Sequence, residues 1–340
     1  MKRVICLLVV CLLLCGCTPH TAQREQKIYE ATFLELFDTV TVIKGAAESK
    51  EAFTETVHGI RDELKTYHQL FDIYHDYEGI NNLKTINDMA GISAVEVDRK
   101  IIDLLLDCKR YYELTGGKVN VAMGSVLLLW HEARNDGIDD PVNAKLPDES
   151  ALKEASTHTD FDTVIIDEGA STVFISDPNV RLDVGAVAKG WSVQRVAESS
   201  PSGLLISVGG NVCATGPKDH NGTPWVVGIQ NPNGGDYLHT IYVSGGSIVT
   251  SGDYQRAYVV EEKVYHHIID PETLYPSTYW RSVTIACDDS GLADSLSTAL
   301  FLLPLGAGQA LLDKCNAEAM WVDAEGNQHY SPGFQALIRT

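Results

Sequence analysis

The chain is short of basic residues. Its 340 residues carry 26 Lys and Arg against 46 Asp and Glu, a formal charge of −20. This balance argues against a nucleic-acid-binding surface or a basic membrane patch, and it means that an anionic ligand would need a metal ion or a local cluster of backbone donors. Cysteine is scarce where metal chemistry would want it. Of the eight cysteines, Cys6, Cys11, Cys15 and Cys17 crowd the N-terminus, and Cys108, Cys213, Cys287 and Cys315 stand far apart. With neither CxxC nor Cys/His spacing, a zinc site is not expected. The four later cysteines sit in apolar contexts that suit buried thiols as well as disulfides. Beyond the leader there is no apolar run of membrane-spanning length, no repeat and no low-complexity segment.

What is present begins with MKRVICLLVVCLLLCGCTPH. Lys2 and Arg3 precede the apolar run Val4–Leu14, which has signal-peptide length. The run ends in Leu14-Cys15-Gly16-Cys17, which resembles a bacterial lipobox, with cleavage after Gly16 and lipid on Cys17; the alternative is a plain secretory signal. The expected organisation is a leader over 1–16, a lipidated tether over 17–30 and one large catalytic or binding unit over 31–340. Such a protein would be held on the extracytoplasmic face of a bacterial membrane, anchored to it and not crossing it.

The pattern along the rest of the chain is α+β. Helices are expected over 51–71, 98–114, 148–155, 186–199 and 292–303, the last continuing to Cys315, with a small apolar segment at 124–130 and a polar loop at 135–147. Strands are expected over 163–167, 172–176, 180–183, 204–208, 225–230, 239–244, 257–261, 264–269, 282–287 and 320–323. Many of these lie close enough to pair as hairpins, so the sheets should be mostly antiparallel with flanking helices.

Five stretches could carry chemistry. In RLDVGAVAKGWSVQRV, 181–196, a strand-to-helix junction brings backbone N–H groups and Lys189 together as an anion site, or is an ordinary connection. In LLISVGGNVCATGPK, 204–218, Gly209-Gly210-Asn211 lets something approach the backbone, or is a plain turn. Ser251-Gly252-Asp253 reads as a turn. In YHHIIDPETLYP, 265–276, His267 is the best general-base candidate because its ordinary pKa lies near neutrality, although a lone histidine is more often structural. In ADSLSTALFLL, 293–303, helical spacing puts Asp294, Ser297 and Thr298 on one face, opposite a stripe of Leu292, Leu296, Ala299, Leu300 and Leu303. Such small oxygen donors suit a hard cation such as Mg²⁺, or they form a capping or solvated face.

In order along the chain, LDVGAVAKG, SVGGN, WVVGIQNP, TSGDY, HHIIDP and ADSLSTAL closely resemble the motifs of the ApbE family. The resemblance runs from Phe37-Asp38-Thr39 to the last strand and takes in YHDYEGINNLKTIN (74–87) and VNVAMGSVLLLWHE (119–132). It implies an ApbE-like fold, related to the T-fold, and an FAD:protein FMN transferase that uses Mg²⁺, transfers FMN through its phosphate to a Ser or Thr hydroxyl of a target protein, and releases AMP. By the same resemblance Asp294 and Thr298 would be metal ligands, with Ser297 beside them and Ala186 giving its carbonyl. Asp183 and Lys189 would contact FAD, Phe37 and Tyr74 would border the flavin, and Ala122, Met123 and Gly124 would approach it through backbone. His267 and Ile268 would lie by the pyrophosphate, His267 as the base. The expected acceptor is a membrane or extracytoplasmic redox subunit. The chain departs from the family pattern at Gly124-Ser125-Val126 for Gly-Pro-Leu, at Gly209-Gly210-Asn211 for Gly-Gly-Asp, and at Ser297 for Ala or Gly. Two other readings compete: FAD hydrolysis with water as acceptor, and a non-catalytic FAD-binding lipoprotein.

Overall fold

The computed structural model describes residues 27–339. The leader and Cys17, the expected lipid site, lie outside the described residues. In chain order the elements are β1 (Lys27–Leu36), β2 (Thr39–Ala47), α1 (Lys50–Phe71), α2 (Leu83–Asp88), β3 (Val95–Glu96), α3 (Arg99–Leu114), α4 (Gly124–Asp139), α5 (Glu149–Ser156), β4 (Val164–Asp167), β5 (Thr172–Ile175), α6 (Ala188–Ser199), β6 (Leu204–Val208), β7 (Asn211–Ala214), β8 (Trp225–Ile229), β9 (His239–Val243), β10 (Gly246–Gly252), β11 (Tyr258–Val260), β12 (Lys263–Tyr265), β13 (Ser282–Cys287), α7 (Ser290–Phe301), α8 (Leu305–Leu312), β14 (Ala317–Val322) and β15 (Gln328–Tyr330).

Eight strands form the main sheet in the order β1-β2-β6-β7-β10-β13-β14-β15, with every neighbouring pair antiparallel. Side chains alternate across a strand, and here both faces are covered. Val208, Val249, Ile285, Ala319 and Trp321 belong to the core shared with α1, α6 and α7. Ile248, Met320 and Val322 pack on the other side against Trp225, Val227 and Ile241 of the β8–β9 hairpin. Helix α7 runs between α6 and the sheet with residues buried on nearly every side, Asp294, Ser295 and Ser297 among them.

Several expectations need correction. The opening hairpin, β1 and β2, was absent from the sequence-based strands, and β1 begins at Lys27, inside the stretch read as tether. Helix α4 continues to Asp139, through the first residues read as polar loop, because Gly137 lets the helix lie directly against Tyr258. The long C-terminal helix breaks at Pro304, which has no N–H to continue it, and α8 starts afresh. Residues 264–269 form a strand only to Tyr265, leaving a bridge between Ile269 and Pro276.

The segment 180–183 is extended but joins no sheet. Its backbone groups are met piecemeal: Gly124 N–H donates to Arg181 O at 2.9 Å and Asp183 N–H to Val121 O at 2.8 Å. Asn87 takes the place of a neighbouring strand, accepting from Leu182 N–H at 2.7 Å and donating to Leu182 O at 3.0 Å. This stitching fixes the approach to α6. Asn87→Leu should leave both groups of Leu182 buried and unpaired and lower stability by about 2–4 kcal/mol, read as a shift of the urea midpoint; an unchanged midpoint would show that the segment is held by its other contacts.

Candidate active site

A cavity of about 650 Å³ opens where the end of α1, the starts of α4 and α6, the β10–β11 loop and α7 converge. Of the residues singled out in the sequence, Phe37, Tyr74, Met123, Asp183, Ala186, Lys189, His267, Ile268, Asp294 and Thr298 line it. Ala122, Gly124 and Ser297 are buried outside its wall. A Cβ at Gly124 would come within 2.5 Å of Arg181 O, so the glycine serves the contact between α4 and the 180–183 segment.

Asp294 is 4 % exposed, and its Oδ2 accepts from Gly190 N–H at 2.8 Å. Gly190 lies in the first turn of α6, whose N-cap, Val187, has no side chain to offer. The carboxylate therefore caps α6 from another helix and sits at the positive end of its dipole. In a regular helix Gly190 N–H would return to Ala186 O. Diverted to Asp294, it leaves Ala186 O, on the cavity wall, with no backbone donor among the described residues. Asp294 Oδ1 and Thr298 Oγ1 likewise take no hydrogen bond among the described residues. Only glycine permits this approach, since a Cβ at position 190 would lie 2.3 Å from Ser290 O and 2.4 Å from Asp294 Cβ. Three hard oxygens, one of them charged, thus face the cavity, with room for water or phosphate oxygens to complete an octahedron, a donor set that fits Mg²⁺. No group of three or more His, Cys, Asp or Glu that could hold a metal is gathered among the described residues. Ser297 does not join the set. Its Oγ donates to Asp294 O at 2.8 Å and lies 2.8 Å from Ser251 Oγ, tying α7 to β10.

The two adjacent histidines have different settings. His266 Nε2 donates to Ser277 O at 2.8 Å and its Nδ1 accepts from Ile268 N–H at 3.2 Å, so both nitrogens are used in holding the loop. His267 lines the cavity, and its Nδ1 is 3.1 Å from Gln255 O. A carbonyl can only accept, so Nδ1 carries the proton and Nε2 keeps a lone pair. Burial, with Arg256 and Lys189 nearby, pushes the His267 pKa down to about 3. Neither Lys189 nor Arg256 is paired with a carboxylate within ion-pair distance among the described residues; Lys189 Nζ donates to Gly185 O at 3.2 Å. In a strongly acidic protein, two such cations beside a neutral imidazole make a local anion site.

Phe37 and Asp38 form the two-residue turn between β1 and β2, both with positive φ (53° and 52°). Turns of this hand fit hairpin twist, yet side chains other than glycine raise their energy by roughly 1–2 kcal/mol per residue. The β1–β2 turn thus brings Phe37 to the cavity wall, with its ring 5.6 Å from that of His68. Tyr74 Oη lies 2.6 Å from His131 Nδ1. Desolvation pushes the phenol pKa up to about 12, so the hydroxyl stays protonated beside the imidazole. Sequence reasoning missed His131, Arg256, Gln255 and Asn87. His131 lies within a quoted motif and Asn87 ends another, but Arg256 and Gln255 belong to a loop without a spacing signal.

Because an unfolded histidine protonates near pH 6.5 and His267 only near 3, its contribution to stability is complete above about pH 6.5 and is lost as pH falls toward 3. Imidazole NMR titration should find His267 neutral throughout pH 5–8, and Arg256→Gln should raise its pKa. A wild-type midpoint near 6.5 would contradict the buried, cation-flanked setting.

The comparisons with known proteins agree with this geometry. The ApbE family model matches residues 37–321. The chain is 36% identical over 277 residues to the FAD:protein FMN transferase of Treponema pallidum, covering 76% of this chain and 75% of that one. It is 30% identical over 255 residues to that of Klebsiella pneumoniae, covering 72% and 76%. A crystal structure of the ApbE protein from Thermotoga maritima superposes with a TM-score of 0.81 at 29% identity, covering 92% of this chain and 100% of that one. The chain belongs to the ApbE family.

Proposed function

We propose that this protein is an FAD:protein FMN transferase that moves FMN from FAD to a Ser or Thr hydroxyl of an acceptor protein and releases AMP. One observation carries the reading: Asp294 caps α6 with one oxygen and, by doing so, frees its other oxygen and the Ala186 carbonyl toward the same cavity. The names of the relatives support the activity.

Asp294, Thr298 and Ala186 O would hold Mg²⁺, which would neutralise pyrophosphate charge as the P–O bond to AMP breaks. Lys189 and Arg256 supply fixed positive charge to the phosphates. His267 Nε2 takes the proton of the acceptor hydroxyl as its oxygen bonds to the FMN phosphorus. Burial first, and then Arg256 and Lys189, hold the imidazole pKa low; a bound pyrophosphate would offset the two cations and raise the proton affinity of the base. The aromatic faces of Phe37 and Tyr74 suit a flat isoalloxazine ring. The N-terminal leader supports a lipid anchor at Cys17 and work at the cell envelope on a redox subunit of the membrane or its outer face.

The decisive experiment is mass spectrometry of a candidate acceptor domain incubated with the tether-free protein, FAD and Mg²⁺. A gain equal to one covalent FMN residue, lost with EDTA, is the expected result. FMN and AMP in solution without labelled acceptor would instead assign FAD hydrolysis, and intact FAD with every acceptor tried would assign a carrier. Asp294→Ala should reduce transfer at least a thousandfold without unfolding the protein, and wild-type rates in this variant would refute the metal assignment. Thr298→Val should raise the Mg²⁺ concentration needed for half-maximal transfer about tenfold or more, the size of one lost ligand. Ser297→Ala should move it no more than about twofold, since that hydroxyl bonds within the protein. Equal effects of the two would show that both hydroxyls reach the metal.

A further inference from the structure

Side-chain polar atoms that are buried without a partner occur at several places, among them Thr41 Oγ1, Ser247 Oγ, Ser290 Oγ and Asn211 Nδ2. Among the described residues, Asn211 alone of these orphaned groups also lines the cavity, and it is only 2 % exposed. Its backbone is tightly held. Asn211 pairs with Val208 across the two-residue turn Gly209–Gly210 and with Val249 of β10. Both glycines have positive φ (55° and 93°), and Gly209 N–H donates to Val40 O at 3.1 Å. A Cβ at Gly209 would lie 2.7 Å from Thr39 Oγ1, so what approaches this glycine is the β1–β2 hairpin of the same chain. The turn that holds Asn211 is thereby docked beside the turn that holds Phe37.

Among the described residues the Asn211 amide nitrogen has no hydrogen-bond partner. Thr41, Val208, Asn211, Val249 and Ile285 form one lateral row across the sheet on the face toward the helices. Thr41, the other polar member, is two strands away, about 10 Å, with Val208 between. Rotating the carboxamide by 180° exchanges a buried donor for a buried acceptor and leaves an orphan either way. An unpaired amide held against a cavity and shielded from water is paired only when a ligand supplies the complementary group.

We propose that Asn211 is a specificity-determining residue that reads the imide edge of the flavin pyrimidine ring, its amide N–H donating to a ring carbonyl while its carbonyl accepts from the ring N–H. The proposal rests on the reading of the chain as an FAD enzyme. A carboxamide carries donor and acceptor side by side, the complement of an imide, and Phe37 on the adjoining turn supplies the face against which such a ring lies flat. The phosphates have their own partners in Lys189 and Arg256, and in a cation held by the oxygens of α7, so an uncharged amide is left for the heterocycle.

The test compares fragments of the substrate. Riboflavin and FAD binding are followed by flavin fluorescence, and ADP binding with Mg²⁺ by calorimetry, for the wild-type tether-free protein, Asn211→Leu and Asn211→Asp. Asn211→Leu should weaken riboflavin and FAD at least tenfold, leave ADP within twofold, and keep or raise the thermal midpoint, because it removes an orphaned polar group. Asn211→Asp should bind riboflavin more tightly at pH 5 than at pH 8, since only the protonated acid can donate, whereas the wild type should be flat over that range. If Asn211→Leu fails to fold, the pH profile of Asn211→Asp decides. Riboflavin affinity unchanged in Asn211→Leu, a flat profile in Asn211→Asp, or an equal loss for ADP would overturn the assignment. A wild-type protein that binds neither FAD nor riboflavin would sink the transferase reading, and a wild type that binds both while the variants match it would sink this inference alone.

Discussion

The contact between Asp294 and the Gly190 N–H organises the site. It joins two helices distant in sequence, caps an α6 that has no side-chain cap of its own, and holds a carboxylate at a buried position where an isolated charge would be costly. The same hydrogen bond has a second effect. A donor that helix geometry would send back to Ala186 is spent elsewhere, and among the described residues a main-chain carbonyl on the cavity wall is left without a backbone donor. Glycine at 190 is the condition for both, because any Cβ there would collide with the backbone of α7. The capping and the ligand readings of the ADSLSTAL stretch are therefore two halves of one arrangement, with one carboxylate oxygen for each.

Around this contact the fold supplies rigidity on three sides. The eight-stranded sheet, covered on both faces, carries β10 and with it Ser251, which holds α7 through Ser297. The segment leading into α6 is pinned by Asn87 and Gly124 without being a strand. The hairpin turn at Phe37–Asp38 keeps two residues in left-handed backbone at the cavity edge, a strain the surrounding sheet is able to hold. The electrostatics follow the same division of labour. A chain of net charge −20 gathers Lys189 and Arg256 beside an imidazole that burial and those cations keep neutral.

The sequence was informative where local chemistry and periodicity agree. The helix of α7, its apolar stripe at Leu296, Ala299 and Leu300, and the helices α1 and α3 were legible from 3.6-residue spacing alone. The antiparallel hairpin character of the strands after residue 200 was legible from turn residues. The β1–β2 hairpin was not, because its turn is Phe-Asp and not the Asn-Gly or Asp-Gly that announces such a hairpin. The 180–183 segment misled for the opposite reason: it has strand composition but bonds to the Asn87 side chain and to the stretch that leads into α4.

By itself the sequence determined the α+β class, the acidity and the order of motifs that marks the family, since these depend on composition and on neighbours along the chain. It also marked Asp294, Thr298, Lys189 and His267 as residues of the right chemistry. Only the tertiary structure decided which atoms of them are free. That Ser297 turns to Ser251 and away from the cavity, that His266 is consumed by the loop while His267 keeps a lone pair, and that Ala186 O is released all depend on partners between 11 and 104 residues away. A hydrogen bond removes a donor and an acceptor from the inventory together, so what remains for a ligand can be counted only after the whole chain has folded.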